Sequence, residues 1–321
     1  MMTRRFSVVL SCGQTLHPER QALEEQLADQ LAQAGQCDVL VVPHLYDLNA
    51  AGPGVAALQD LGGDLAVLAW LSPRASHWIL DRNGIRGRRG RTRLDEDEKL
   101  AADEGQSKAA KGTGRVAATR DLPDRTIYCL DLRRHRSPQP YLDAIRQVIP
   151  AVPAREAGGE VHAVRRIEEP VGRRWYPVVD YSRCTDCMEC IDFCLFGVYG
   201  VDEAEHVLVE LPDNCRKGCP ACSRVCPENA IMFPQHKTPA IAGELRETGG
   251  LKLDLSSLFG AAEGLLNDLD VAVRERDEHL LIAGQRPAGK ADPVPKPRAS
   301  ETGSWGDDLD KLIDRLDAMD L

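Results

Sequence analysis

The first 150 residues alternate between short apolar runs and stretches whose apolar residues recur at helical spacing. The apolar runs predict strands at 6–13, 38–43, 64–72 and 125–132. The stretches between them predict helices at 17–35, at 53–61, from near Pro73, and at 139–149. Strands without polar alternation, each followed by a helix, indicate a parallel sheet covered on both faces. We expect an α/β domain of flavodoxin-like or Rossmann-like type at residues 1–150.

Residues 86–118 interrupt this alternation because they carry no apolar periodicity. The segment opens with a run of arginines, becomes acidic, and ends in Lys, Gly and Ala. This composition predicts a disordered insertion within the α/β domain. The following residues 151–174 are rich in Pro, Arg, Glu and Gly, and they predict a linker to a second domain.

The last third of the chain predicts three segments of different character. Residues 237–285 are expected to form a helical extension, and residues 286–304 are proline-rich and predict a disordered tether. Apolar residues at helical spacing then alternate with aspartates in 305–321, which indicates a short amphipathic helix. We expect this helix to dock into a groove of a partner protein, with folding back onto its own domains as the alternative.

The overall charge and hydropathy exclude several classes of partner. The formal net charge is −10, which argues against nucleic acid as the main partner. No apolar run approaches the length that spans a bilayer, so membrane insertion is not expected. The start Thr3-Arg4-Arg5-Phe6 is weakly similar to a twin-arginine signal, but the apolar run behind it is too short. We therefore expect a cytoplasmic protein.

Eight of the 11 cysteines lie close together and form two sets with regular spacing. The first set reads C-x2-C-x2-C-x3-C and consists of Cys184, Cys187, Cys190 and Cys194. The second set reads C-x3-C-x2-C-x3-C-P and consists of Cys215, Cys219, Cys222 and Cys226. Three thiolates within seven residues can each reach a different iron of one cubane cluster, which leaves the fourth cysteine for another cluster.

This spacing resembles that of the bacterial-type ferredoxins with two [4Fe–4S] clusters, and the resemblance covers about residues 175–236. It implies that each set gives three ligands to one cluster and its last cysteine to the other. One cluster would be held by Cys184, Cys187, Cys190 and Cys226. The other would be held by Cys215, Cys219, Cys222 and Cys194.

The sequence departs from the ferredoxin pattern at two positions. Leu195 follows Cys194, where the family has proline, and one additional residue separates Cys215 from Cys219. We expect Gly218 to accommodate the additional residue by adopting a positive φ. Apolar side chains are expected to surround the clusters and exclude water: Ile191, Phe193, Leu195, Phe196, Val198, Val225 and Ile231.

Two other uses of these cysteines are open from the sequence. Eight cysteines suit two four-thiolate zinc sites, although structural zinc favours two separated C-x2-4-C pairs per ion and these sets are more crowded. A disulfide framework is less expected because the sequence shows no secretion signal. The remaining Cys37 and Cys129 fall at or beside strand positions and are expected to be buried as apolar residues.

The resemblance implies an electron-transfer protein that passes single electrons between partner redox enzymes through two [4Fe–4S] clusters. Residues 175–236 hold ten acidic and four basic side chains, and this negative charge lowers the potential and favours a basic docking face. The alternative is an oxidoreductase, or a subunit of one, whose α/β domain has a substrate or flavin site that exchanges electrons with the clusters. A scaffold subunit with structural clusters is a third possibility.

A site in the α/β domain is expected beyond the carboxyl ends of its strands. The candidates there include Cys12, His17, His44 and His77, which are a possible metal or redox group or else separate loop and core residues. The sequence has neither a G-x-G-x-x-G motif nor a P-loop, so a conventional nucleotide site is not supported.

Overall fold

A computed structural model describes residues 6–14, 17–95, 115–118, 122–149, 164–244 and 268–289. Within these ranges, a six-stranded parallel sheet forms the larger part of the fold. Its strands are β1 (Phe6–Ser11), β2 (Asp38–Val42), β3 (Asp64–Ala69), β4 (Arg88–Arg89), β5 (Thr126–Asp131) and β6 (Arg165–Arg166). They lie in the order β4-β5-β3-β1-β2-β6, which confirms the predicted parallel α/β sheet.

Helices cover both faces of this sheet, and their ends follow from local sequence. They are α1 (Pro18–Ala34), α2 (Pro53–Gln59), α3 (Pro73–Arg82) and α4 (Gln139–Val148). Proline stands at the start of each, where its missing N–H is not needed. Ser72 caps α3 by accepting a hydrogen bond from the Ala75 N–H, and Gly35 ends α1 in the left-handed conformation.

Alternate side chains of the strands enter two separate cores, because successive residues of a strand point to opposite faces. Val8 and Leu10 pack with α1 and α4 on one face, whereas Val9 packs with α2 and α3 on the other. Cys37 and Cys129 are buried in these cores, as predicted.

Two edge strands lie where the sequence predicted irregular chain. β4 pairs with β5 inside the predicted insertion 86–118, and β6 pairs with β2 inside the predicted linker 151–174. Each strand has only two residues, both exposed arginines, so apolar periodicity does not reveal it. Charged residues on a short edge strand also discourage pairing with another chain. Residues 96–114 of the predicted insertion lie outside the described ranges.

The cysteine-rich module, which we define as residues 175–236, consists of short elements. β7 (Val178–Val179) pairs with β10 (Ile231–Met232), and β8 (Tyr199–Val201) pairs with β9 (Val207–Val209), both antiparallel. The helices are α5 (Glu189–Phe193) and α6 (Ala221–Val225), followed by α7 (Asp268–Ile282) from the predicted extension. The predicted docking helix 305–321 and most of the predicted tether 286–304 lie outside the described residues. None of the helices in the described ranges has the length and apolar character needed to cross a bilayer.

The module packs against the carboxyl ends of the sheet strands. The rings of Tyr46, beyond β2, and Tyr176 stack with centroids 4.2 Å apart. The Tyr46 hydroxyl donates to the Tyr176 carbonyl and accepts from the Tyr176 N–H, while the Tyr176 hydroxyl donates to the Tyr46 carbonyl. The core beneath α2 and α3 continues into the module through Tyr176, Val178 and Met232. The two predicted domains therefore share one hydrophobic core.

A buried ion pair crosses the same boundary. Arg74 Nε of α3 lies 2.5 Å from Asp180 Oδ2, and both side chains are almost fully buried. Arg74 also donates to the Asn229 carbonyl, and Asp180 accepts from the Ser182 N–H. Each buried charge therefore has several partners, which is the condition under which a buried pair is tolerated.

Replacing Arg74 with methionine should destabilise the protein by about 3–5 kcal/mol, because Asp180 would remain buried without its cation. The free energy of unfolding can be measured anaerobically by urea denaturation followed by circular dichroism. Arg93→Met is the matched control, since Arg93 pairs with Asp143 at 3.1 Å on the surface. The control should cost less than about 1 kcal/mol. Equal losses in the two variants would show that the buried pair is not a stabilising contact between the sheet and the module.

A second prediction concerns His44, which is buried at the same boundary with only 5% of its surface exposed. Burial lowers the pKa of His44 to about 4; Asp47 raises it and Arg173 lowers it further. A histidine in the unfolded chain titrates near pH 6.5. Between this pH and about 4, His44 therefore binds a proton in the unfolded state but not in the folded state. The stability of the folded protein should therefore decrease as the pH falls from about 6.5 towards 4.

His44→Gln should remove about 1 kcal/mol of the stability loss measured between pH 7.5 and 5.5. His17→Gln is the control, because His17 is exposed at the start of α1. The readout is the slope of unfolding free energy against pH, not the stability at one pH. A wild-type slope that persists in His44→Gln would mean that another group causes it.

Candidate metal centre

Two related loop-and-helix segments carry the eight cysteines. The first leads into α5, which contains Cys190, and the second leads into α6, which contains Cys222. Asp186 and Met188 adopt positive φ in the first loop, and Gly218 adopts a φ of 90° in the second. The positive φ predicted for Gly218 is confirmed. These turns allow backbone and cysteine side chains to curve around a common centre.

The cysteines line two separate cavities. The first has about 370 Å³ of empty space, including its opening to solvent, and its cysteines are Cys184, Cys187, Cys190 and Cys226. The second has about 300 Å³, and its cysteines are Cys194, Cys215, Cys219 and Cys222. Three cysteines of each set thus line one cavity, and the last cysteine of each set lines the other. The additional residue before Cys219 leaves Cys215 beside its three partners.

The arrangement of the cysteines fits a group larger than a single ion. In a tetrahedral zinc site, Zn–S bonds of about 2.3 Å hold the sulfur atoms within roughly 4 Å of one another. No three His, Cys, Asp or Glu residues among the described residues are grouped closely enough to hold one metal ion. The four cysteines of each cavity instead surround a space, and thiolates are the donors that iron–sulfur clusters use.

Burial raises the pKa values of several of these cysteine thiols. This effect is the largest cause of the shift for Cys184 and Cys190, whose pKa values rise to about 12, and for Cys219, whose pKa rises to about 11. Without iron these thiols are therefore protonated at neutral pH. Binding iron requires thiolates, so loading the sites must release protons, and the affinity for iron must rise with pH.

Apolar side chains line most of the rest of both cavities. Phe193, Phe196 and Val198 line the second cavity, and Ile231 lines the first, as the sequence predicted. Ile191 and Val225 are half-buried and line neither cavity. The prediction for Leu195 was wrong: 49% of its surface is exposed, and it lines neither cysteine cavity. Its position after the C-terminal end of α5 directs it outward, although its hydrophobicity suggested a buried side chain.

The structure adds polar groups near the sulfur atoms that sequence reasoning missed. The Tyr199 hydroxyl donates to Cys222 Sγ at 3.0 Å, and the Ala230 N–H donates to Cys226 Sγ at 3.2 Å. Arg276 of α7 lines the second cavity from a helix about fifty residues further along the chain. The regular spacing of the cysteines gives no signal for these contacts. Tyr199, the first residue of β8, is the one feature that could have been singled out from the sequence.

The candidate residues at the carboxyl ends of the sheet strands do not form one site. Cys12 lies beside Glu24, and burial together with this carboxylate raises the pKa of Cys12 to about 12. His17 is exposed at the start of α1, whereas His44 is buried 3.5 Å from Asp47. His77 is buried against the edge of Trp78. These residues occupy separate environments, and none belongs to a group in the described ranges that could hold a metal ion.

Other polar groups at this edge hold loops together or contact the module. The Ser11 hydroxyl donates to the Pro43 carbonyl and accepts from the Leu45 N–H. Asp47 accepts hydrogen bonds from Gln14 and, across the boundary, from the Arg174 N–H and Gln235. The carboxyl edge of the sheet is therefore used for packing against the cysteine-rich module.

Comparison with known proteins identifies relatives for part of the chain. An uncharacterized ferredoxin from Methanocaldococcus jannaschii is 48% identical over 66 residues, which are 20% of this chain and 44% of that protein. Pyruvate synthase subunit PorD from the same organism is 37% identical over 59 residues, which are 18% of this chain and 66% of that subunit. The same subunit from Methanothermobacter marburgensis is 35% identical over 65 residues, which are 20% of this chain and 73% of that subunit.

The chain thus spans less than half of the first of these relatives, and most of its own length has no counterpart in any of the three. No protein-family model matches the chain, and no solved structure does. The matched length is close to that of the cysteine-rich module, and the names of the relatives agree with an iron–sulfur, ferredoxin-like module. Through about 20% of its length, the chain belongs to the ferredoxin-like iron–sulfur family that includes pyruvate synthase subunit PorD.

Proposed function

We propose that the chain is an electron-transfer protein with two [4Fe–4S] clusters, passing single electrons between partner redox enzymes. The observation that carries this proposal is the pair of apolar cavities, each lined by four cysteines. The ferredoxin relatives support the iron–sulfur chemistry. A bound cluster supplies a one-electron carrier whose potential is set by the protein around it.

The residues of the chain would have distinct roles in this function. The first cavity would bind its cluster through Cys184, Cys187, Cys190 and Cys226. The second would bind its cluster through Cys215, Cys219, Cys222 and Cys194. The surrounding apolar side chains exclude water, which limits reorganisation when an electron arrives. Cys190 and Cys222 belong to one buried group of packed residues, so the two centres lie on either side of a continuous core that an electron can cross.

The partners of such a carrier are expected to be redox enzymes with basic docking faces, because residues 175–236 are strongly acidic. Two relatives are named as subunits of pyruvate synthase. This naming supports a place for the chain within, or beside, a multi-subunit oxidoreductase. The proposal does not assign catalysis to the α/β part. The strand order β2-β1-β3-β5 is that of flavodoxin-like sheets, but their usual ligand edge here contacts the module.

The first test is the iron content of the protein purified without oxygen. We expect about eight irons per chain and broad absorption near 400 nm, as two cubane clusters require. Cys37→Ala and Cys129→Ala should retain all of this iron, because both cysteines are buried in the cores of the sheet. Chains that hold two zinc ions, or no metal, would refute the electron-transfer proposal.

A second test addresses the exchange of the last cysteine between the two sets. If Cys226 shares a cluster with Cys184, the double variant Cys184→Ala/Cys226→Ala should lose one cluster and keep about four irons. The matched variant Cys184→Ala/Cys194→Ala should damage both clusters, because its two cysteines line different cavities. Iron analysis and the spectrum of the reduced protein separate these outcomes. The reverse pattern would mean that each set of four cysteines holds its own cluster.

A further inference from the structure

The first cavity is lined by a negative side chain, and one of its sulfur atoms accepts a backbone hydrogen bond, from the Ala230 N–H to Cys226 Sγ at 3.2 Å. Among the residues that line it, Glu228 is charged and no arginine or lysine is present. Asp186 Oδ1 lies 3.6 Å from Cys184 Sγ and is held there by the Val207 N–H at 3.0 Å. The other oxygen of Asp186 contacts His206 Nδ1 at 2.8 Å. A thiolate bound to iron has no proton to donate, so Cys184 would face the carboxylate as one negative group faces another.

The second cavity has the opposite character. Among the residues that line it, Arg276 is charged and no carboxylate is present. The Tyr199 hydroxyl donates a hydrogen bond to Cys222 Sγ at 3.0 Å, from a side chain that is almost fully buried. Donors to a sulfur ligand and nearby positive charge both stabilise the reduced form, which carries one more negative charge.

Arg276 is fixed in place by several contacts, and only 6% of its surface is exposed. Its guanidinium lies 4.6 Å from the centre of the Phe193 ring, and it donates to the Gly289 carbonyl at 2.6 Å. Asp277 pairs with it at 2.9 Å but is not among the residues that line the cavity. The Arg224–Glu275 pair, with Nε 2.8 Å from Oε2, attaches α7 to α6.

We propose that the two clusters have different reduction potentials. The cluster in the second cavity, held by Cys194, Cys215, Cys219 and Cys222, has the higher potential because Tyr199 and Arg276 stabilise its reduced form. The cluster in the first cavity, beside Asp186, has the lower potential. This inference rests on the proposed electron-transfer function and adds a direction to it. If a low-potential one-electron donor protein reduced the cluster held by Cys184, Cys187, Cys190 and Cys226, the electron would pass downhill to the cluster of higher potential. That cluster would then supply a one-electron acceptor of still higher potential.

The test is an anaerobic potentiometric titration of the full chain, followed by electron paramagnetic resonance of the reduced clusters. The wild-type protein should be reduced in two separate steps. Tyr199→Phe and Arg276→Met should each move the upper step to more negative potential and leave the lower step in place. Asp186→Asn should move the lower step to more positive potential. The expected change is about threefold to tenfold in the reduction equilibrium of one cluster, and tenfold corresponds to about 59 mV for one electron.

Matched variants separate these effects from general loss of charge or structure. Arg274→Met removes a positive charge from an exposed position of α7, and Asp29→Asn removes a negative charge from the exposed side of α1. Tyr128→Phe removes a hydroxyl from a residue of β5, and no residue of β5 lines either cavity. These three variants should leave both steps unchanged. All variants are compared at full iron content, so that a change in potential cannot arise from loss of a cluster.

The outcomes distinguish this inference from the function on which it rests. A chain that binds no clusters overturns both. A chain with about eight irons and a single reduction step, or with both steps moved equally by Tyr199→Phe, overturns the difference in potential and leaves the electron-transfer function standing. The inference is supported if the protein is reduced in two steps and the Tyr199 and Arg276 variants move only the step at higher potential.

Discussion

The gathering of eight cysteines around two apolar spaces is the constraint on which the rest of the module depends. Thiols in such surroundings resist ionisation, and those of Cys184, Cys190 and Cys219 have raised pKa values for this reason. The short strands and five-residue helices between them bury few apolar side chains of their own. A group that binds the thiolates therefore supplies much of the free energy of folding, as is general for small metal-dependent modules.

The larger sheet contributes a second source of order. Tyr46 and Tyr176 exchange three hydrogen bonds and stack their rings, so the chain that enters the module starts from a fixed position. Tyr176 leads into β7, which closes the module by pairing with β10. Trp175, its neighbour, donates to the Cys219 carbonyl at 3.2 Å and stacks on Phe233. Contacts that begin in the sheet thus reach a backbone group of a cysteine that lines the second cavity.

The parts of the fold that the sequence predicted are those whose residues repeat a pattern. Central strands such as β1 and β3 are buried on both faces, so their apolar runs are continuous and visible. Gly218 could be assigned a positive φ because the additional residue in its loop needs one. The edge strands β4 and β6 have the opposite property, since Arg88 and Arg165 are exposed and join the sheet through backbone pairing.

The same distinction applies within the candidate site. The resemblance to two-cluster ferredoxins predicted which four cysteines line each cavity. It could not predict Arg276, which reaches the second cavity from a distant helix, or the hydroxyl of Tyr199, whose direction depends on tertiary packing. The prediction for Leu195 was wrong because hydrophobicity alone does not indicate which way a side chain points at the end of a short helix.

The position of the module also bears on what the sheet is for. Parallel α/β sheets hold their ligands beyond the carboxyl ends of the strands, where loop backbones and side chains are free to bind. In this chain, Arg74 at the start of α3 binds Asp180, and Asp47 beyond β2 accepts from Arg174 and Gln235. Polar groups at the edge where such sheets bind a substrate here bind a neighbouring part of the same chain. These contacts place the cysteine-rich module at the edge of the sheet where such folds hold their ligands.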